Sequence, residues 1–166
     1  MAVKSQRLLL NNENMMIQEI EFKESDKGVY KAHFADCLVL TADKKLLLQY
    51  RPPSWRRMPD TVTLFGGYVE EAETVWQALV REIKEELGAD ITGEDIISVG
   101  SITEDMTDDT EVIHLHFWHD KNNLVTGCYE AEPVYFDNVE QALNSTKVME
   151  YACWALERCR RKGFVV

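Results

Sequence analysis

The chain has no long apolar run. Nothing approaches the ~18 consecutive hydrophobic residues of a membrane-crossing helix. The leading segment MAVKSQRLLLNNENMM carries only the patch Leu8-Leu9-Leu10, short of the roughly 7–15 apolar residues of a secretory signal. Basic residues are also scarce, 18 against 29 acidic ones in 166, for a net charge of −11. A field of that sign repels nucleic-acid backbones, which argues against polymeric DNA or RNA as a partner. Small phosphorylated substrates stay open, provided metal cations or a local basic patch neutralise them. There is no internal repeat, low-complexity stretch or Pro/Gly/Ser linker. The four cysteines, Cys37, Cys128, Cys153 and Cys159, form no CxxC pair and no zinc-ligand spacing. Reduced, largely buried thiols in a cytoplasmic chain are expected.

What is present reads as an ordinary globular composition, 45% hydrophobic and 28% charged. The length suits one domain over 1–166, with 1–14 a loose tail. A strand is expected over Val29–Leu40, a turn at Thr41–Lys44 and a second strand over Lys45–Tyr50. Three prolines make Arg51–Asp60 a loop, and Thr61–Phe65 is a short strand running into Gly66-Gly67. Further strands are expected at 96–103, 110–118 and near Pro133–Phe136. His114 and His116, among Val112, Leu115 and Phe117, suggest one strand face with histidines satisfied by neighbours rather than by metal. Helices are expected over Val139–Leu143 and from Thr146 to about Arg161, the latter with a cationic last turn that suits the helix dipole. The fold class is α/β, a mixed sheet flanked by helices.

The clearest helix is Thr74–Leu87, with Thr74 as N-cap, Gln77 as its capping-box partner and Gly88 at its end. At ~100° per residue, Trp76, Leu79, Val80, Ile83 and Leu87 share a core-facing arc. Glu82, Glu85 and Glu86 occupy a separate arc, with Arg81 on its flank. The Glu82/Glu86 pair alone destabilises the helix by a few tenths of a kcal/mol, about what like charges at this spacing give. It also lies toward the end where the dipole disfavours negative charge. A hard divalent cation reverses the sign of that argument, because clustered oxygen ligands are what Mg²⁺ or Mn²⁺ requires. The alternative is a solvated acidic face.

The preceding loop decides between them. Gly67, five residues, Glu73, seven residues, then Arg81-Glu82-Ile83-Lys84-Glu85-Glu86-Leu87-Gly88-Ala89 resembles the Nudix box, with all seven fixed residue types in register. Average residue usage puts a chance match on the order of one in a million chains, so the resemblance outweighs the solvated-face reading. It is sharpest over 62–90. Leu64-Phe65 stand where MutT-like members often carry proline or tryptophan, and the last aliphatic position is the small Ala89.

The resemblance to Nudix hydrolases implies an α/β/α sandwich and a divalent-metal enzyme, with Mg²⁺ or alternatively Mn²⁺, that cleaves a diphosphate linkage in a small phosphorylated substrate of nucleotide type. It implies Glu85 and Glu86 as principal metal ligands, Glu82 as ligand or general base, and the Gly67 carbonyl as a further ligand. Arg81 would hold a glutamate by an ion pair, and Glu73 would fix loop to helix. Glu104, Glu130 and Glu132 are alternative bases from later segments. The basic cluster Arg51, Arg56 and Arg57 around Trp55 suits phosphate oxygens and a stacked base. Two rivals share the resemblance: isopentenyl-diphosphate isomerase, whose cysteine setting none of the four cysteines resembles, and a non-catalytic nucleotide sensor, which would lose box glutamates. The downstream proline of ADP-ribose cleavers, the tyrosine of dinucleoside-polyphosphate cleavers and the coenzyme A signature are missing. Nucleoside triphosphates and nucleotide-sugar diphosphates are left as substrates. Homodimers are common in the family, though no residue here demonstrates one.

Overall fold

The computed structural model describes residues 16–166, so the expected tail at 1–14 lies outside the described residues. The chain order begins with β1 (Ile17–Ile20), a 3₁₀ turn at Glu24–Val29, β2 (Ala32–Leu40), β3 (Leu46–Arg51), β4 (Thr61–Thr63) and β5 (Phe65–Tyr68). It continues through α1 (Val75–Leu87), β6 (Ile96–Glu104), β7 (Glu111–His119), β8 (Glu132–Phe136), α2 (Val139–Leu143) and α3 (Glu150–Arg161). The strands form one mixed sheet in the order β1-β6-β7-β2-β3-β4, with β5 paired to β2 and β8 to β3. Among these strands only β2 and β7 pair in parallel, and an isolated parallel bridge joins Val62 to Val148. Among the described residues no helix is long and apolar enough to cross a membrane.

Strand alternation builds the layers. On β2, Ala35, Cys37 and Val39 face the cluster that includes Leu79, Ile83 and Leu87 of α1. Leu38 and Leu40 face the opposite cluster, which holds Ala152, Ala155 and Leu156 of α3 and Val139 and Ala142 of α2. The sheet is thus covered on both faces, the α/β/α arrangement expected.

Four local expectations are corrected. The first long strand begins at Ala32, not Val29, because Glu24–Val29 forms a 3₁₀ turn that leaves Val29 exposed. Thr61–Phe65 is not one strand: β4 pairs with β3 and β5 with β2, so the chain changes partners at Leu64. The last helix starts at Glu150 rather than Thr146. Residues before it serve the sheet instead, with Val62 N–H donating to the Lys147 carbonyl at 2.7 Å and Met149 N–H to Val62 at 3.0 Å. Finally, Trp76 shares the stripe of Leu79 and Ile83 yet is 42% exposed, while its neighbours Val75 and Ala78 pack against the core. The α1 caps form as expected, a Thr74–Gln77 capping box and Gly88 in the left-handed region at φ 69°.

The strand histidines are satisfied by neighbours. His114 Nε2 meets His33 Nδ1 at 3.0 Å, its Nδ1 meets Ser101 Oγ at 2.9 Å, and His33 Nε2 lies 2.8 Å from the Lys27 carbonyl. Burial holds His114 neutral, its pKa down to about 3 from 6.5. Between those values the unfolded chain takes up a proton that the folded one refuses, so acidification costs as much as ~1.4 kcal/mol per pH unit. Thermal midpoints of wild type and His114→Gln, measured from pH 7 to pH 4, should therefore show a steeper acid-side loss in wild type. Parallel curves would contradict the linkage.

Candidate active site

The glycine pair of β5 is where three elements meet. Gly66 has φ 138°, a region L side chains rarely adopt, and a Cβ there would lie 2.7 Å from both the Asp36 backbone and its Oδ1. Gly67 has no side chain for a related reason: the Glu82 carboxylate occupies that space, 2.6 Å from where a Cβ would be. The backbone of β5 is therefore pressed between Asp36 on one sheet face and the acidic side of α1 on the other.

Glu86 is the fixed point. It is 2% exposed, which corrects the expectation that all three helix glutamates lie on an arc apart from the core. Its Oε2 accepts from Gly66 N–H at 2.6 Å and its Oε1 from Gln49 Nε2 at 3.0 Å. Gln49 also donates to the Leu64 carbonyl at 2.8 Å, so β3, β5 and α1 are joined through two side chains. Burial pushes the Glu86 carboxyl up to about 8, against the opposing pull of those hydrogen bonds. Tyr129 N–H donates to the Glu86 carbonyl at 2.9 Å, bringing the segment around Glu130 to the end of the helix.

Arg81 organises the outer side. Its Nε and Nη2 grip Glu73 at 2.7 and 2.9 Å in a bidentate pair. Nη2 also donates to the Tyr68 carbonyl at 2.9 Å, and Nη1 donates to Glu82 at 2.6 Å with Glu85 3.5 Å away. The guanidinium holds the Glu73 carboxyl down to about 2. Glu82 shifts the other way, raised chiefly by burial despite Arg81, with Glu85 and Glu130 adding repulsion. Lys27 braces the loop from behind: its Nζ donates to the carbonyls of Glu70, Glu71 and Glu73 at 3.3, 3.4 and 2.5 Å.

Asp36 was not singled out by sequence reasoning. It is buried beside Gly66, hydrogen-bonded to Tyr151, and raised to about 7 mainly by burial, with Arg51 and Arg57 opposing and Glu82 reinforcing the shift. The available signal was an acid in the middle of an otherwise apolar strand, Ala35-Asp36-Cys37-Leu38. Lys27 gave none, lying some forty residues before the loop it braces.

The basic loop divides. Arg51 donates to Thr63 Oγ1 at 3.2 Å with its guanidinium 4.9 Å from the Trp55 ring centre. Arg57 lies 5.1 Å over Phe34 and 3.9 Å from Glu111, while Arg56 is exposed. Of the three alternative bases, Glu130 acts electrostatically on Glu82. Glu132 is exposed on β8, paired with Tyr50, and Glu104 is buried on the α3 face of the sheet.

The donor set is hard oxygen throughout, and Arg81 is the single cation bonded to the helix carboxylates among the described residues. A divalent cation would return Glu82 and Glu86 to the ionised state that burial and mutual repulsion oppose, so the chemistry fits one. The side chains are not gathered around a common point, however. Among the described residues no three His, Cys, Asp or Glu side chains form a metal cage. Glu86 turns to Gly66, Glu82 to Arg81, and Glu85 stays half exposed.

The chain is similar to known proteins. The NUDIX domain profile matches residues 31–154. A CTP pyrophosphohydrolase of Escherichia coli K12 is 40% identical over 85 residues, 49% of this chain and 56% of that protein, so the match spans little more than half the relative's length. Among solved structures, the E. coli ORF135 protein is 28% identical with a TM-score of 0.58, covering 81% of this chain and 92% of that one. A mutT/nudix family protein of Listeria innocua superposes at TM-score 0.65 over 80% of this chain and 94% of that one, at 18% identity, which speaks to the fold alone. With three quarters of its length matched by the family profile and the box glutamates built onto one glycine turn, the chain belongs to the NUDIX domain family.

Proposed function

We propose that the protein is a hydrolase of phosphorus-containing anhydrides that cleaves a diphosphate linkage of a nucleoside triphosphate with the help of Mg²⁺ or Mn²⁺. The observation that carries this reading is the acidic side of α1 against the glycine turn: Glu86 bonded to Gly66 N–H, Glu82 held by Arg81 over Gly67, and Glu85 beside them. The name of the E. coli relative, CTP pyrophosphohydrolase, supports a nucleoside triphosphate and makes CTP the first substrate to try.

Glu85, Glu82 and Glu86 would hold the cation, with the Gly67 carbonyl as a further ligand; once bound it would neutralise phosphate charge and lower the pKa of water. The chain's own residues account for the rest. Arg81 and Glu73 keep helix and loop in register, so the carboxylates stand fixed relative to the glycine turn. Glu130, which acts electrostatically on Glu82, would take the proton as the water oxygen bonds to phosphorus and the bridging P–O bond breaks. Arg51 and Arg57 would meet phosphate or base oxygens beside Trp55 and Phe34.

Two outcomes are expected from phosphate and pyrophosphate release with CTP. Glu85→Gln should lower kcat at least about 100-fold, and Glu130→Gln by ~10²–10⁴-fold, the usual contribution of a positioned base; full activity of Glu85→Gln, or turnover in chelator, would remove the metal reading. In the second comparison, Arg57→Ala should raise KM several-fold with little change in kcat, whereas the exposed Arg56→Ala should leave both near wild type. Unchanged KM in both variants would place substrate elsewhere.

A further inference from the structure

The loop of the Nudix box is held from two sides, and its outer side is held by a residue far away in sequence. Lys27 sits half-buried in the 3₁₀ turn Glu24–Val29, and its Nζ donates to the carbonyls of Glu70, Glu71 and Glu73 at 3.3, 3.4 and 2.5 Å. Three carbonyls match the three hydrogens that an ammonium has to give. Backbone oxygens drawn onto one cation cannot fan apart, so the ammonium fixes the curvature of the loop. Within the loop, Glu73 N–H donates to the Glu70 carbonyl at 3.0 Å and Glu70 N–H to Glu73 Oε2 at 3.1 Å. The Glu73 carboxylate is thereby presented to Arg81, whose Nη1 in turn holds Glu82 at 2.6 Å.

Lys27 is itself seated by the sheet. Its carbonyl lies 2.8 Å from His33 Nε2, and because a carbonyl only accepts, that nitrogen carries the hydrogen. In the neutral ring Nδ1 is then the acceptor, His114 Nε2 its donor at 3.0 Å, and His114 Nδ1 the acceptor for the Ser101 hydroxyl at 2.9 Å. Phe22 and Tyr30, on either side of the turn, lie with ring centres 5.3 and 5.8 Å from that of His33. The His33 carbonyl meanwhile accepts from Val69 N–H at 2.8 Å, where β5 gives way to the loop. One residue of β2 thus seats both the turn that carries Lys27 and the start of the loop that Lys27 holds.

We propose that Lys27 is a positioning residue for the carboxylates of α1: by holding the box loop it keeps Glu73 on Arg81, and so Arg81 on Glu82. The inference rests on the reading of these glutamates as the hydrolytic site. Electrostatics give the brace its purpose. Glu70, Glu71 and Glu73 lie within four residues and repel one another, while Arg81 bonds to Glu73 from the inner side. A second cation on the outer side opposes that repulsion, and its charge adds to that of Arg81 in holding the Glu73 carboxyl down.

The test reads the clamp directly and turnover separately. Arg81 Nε–H, followed by proton–nitrogen NMR and identified by its loss in Arg81→Lys, should exchange with water at least about tenfold faster in Lys27→Met than in wild type. With CTP and Mg²⁺, Lys27→Met should lose about tenfold in kcat with KM within about twofold, because a misplaced group lowers rate more than binding. Lys27→Arg keeps a cation with several donors and should return both readings to within about threefold of wild type. Lys23→Met removes the same charge from the exposed residue before the turn and should change neither. Unchanged Arg81 exchange in Lys27→Met overturns the inference, whatever its kcat, and so does an equal change in Lys23→Met. Faster exchange in a protein that hydrolyses no nucleoside triphosphate would instead leave the brace standing and remove the hydrolytic reading.

Discussion

A buried carboxylate bonded to a glycine backbone sets the geometry of this protein. Glu86, from the last turn of α1, accepts from Gly66 N–H and from Gln49, and so fixes the helix to two strands at once. The desolvation that opposes an ionised Glu86 is offset only in part by those bonds, so burial pushes the carboxyl up to about 8. Everything outward follows from that anchor. With Glu86 held in, Glu82 lies over Gly67, Glu85 turns toward solvent, and Arg81 spans from Glu73 to both. The absence of side chains at Gly66 and Gly67 is the steric condition for this arrangement.

The two faces of the sheet divide the work. On the α1 side the acids are bonded to arginine, glutamine or backbone. On the α3 side Asp36 and Glu104 are buried with their carboxyls raised to about 7, with Arg51 and Arg57 as nearby cations acting on Asp36. Asp36 connects the two, since it touches Gly66 across β2 and β5. Charge introduced on one face is therefore felt on the other.

Much of this was legible in the sequence. The capping box of Thr74 and Gln77, the left-handed Gly88 and the positions of β3, β6, β7 and β8 were readable because each depends on local spacing, whereas β1 and the division of Thr61–Phe65 into β4 and β5 were not. The residues of the box were legible through their resemblance to the family motif, and Arg81 and Glu73 meet as that resemblance implies. What escaped depended on tertiary contact. Helical periodicity assigns Trp76 to the core but cannot tell where the packed surface ends. It assigns Glu86 to a polar arc, whereas a glycine backbone beneath it provides the donor that lets a carboxylate be buried. Lys27 reaches the loop from a distant segment, and Asp36 needed its neighbours on β5 and α3 to be recognised.

The central claim is that crowding on α1 prepares a site for a divalent cation. Titration of the protein with Mn²⁺, following free ion by electron paramagnetic resonance, tests it most directly. Wild type should remove free Mn²⁺ with one saturating site per chain or more, and Glu85→Gln should bind at least about tenfold more weakly. Equal affinity in the two proteins, or no saturable binding by wild type, would contradict the account.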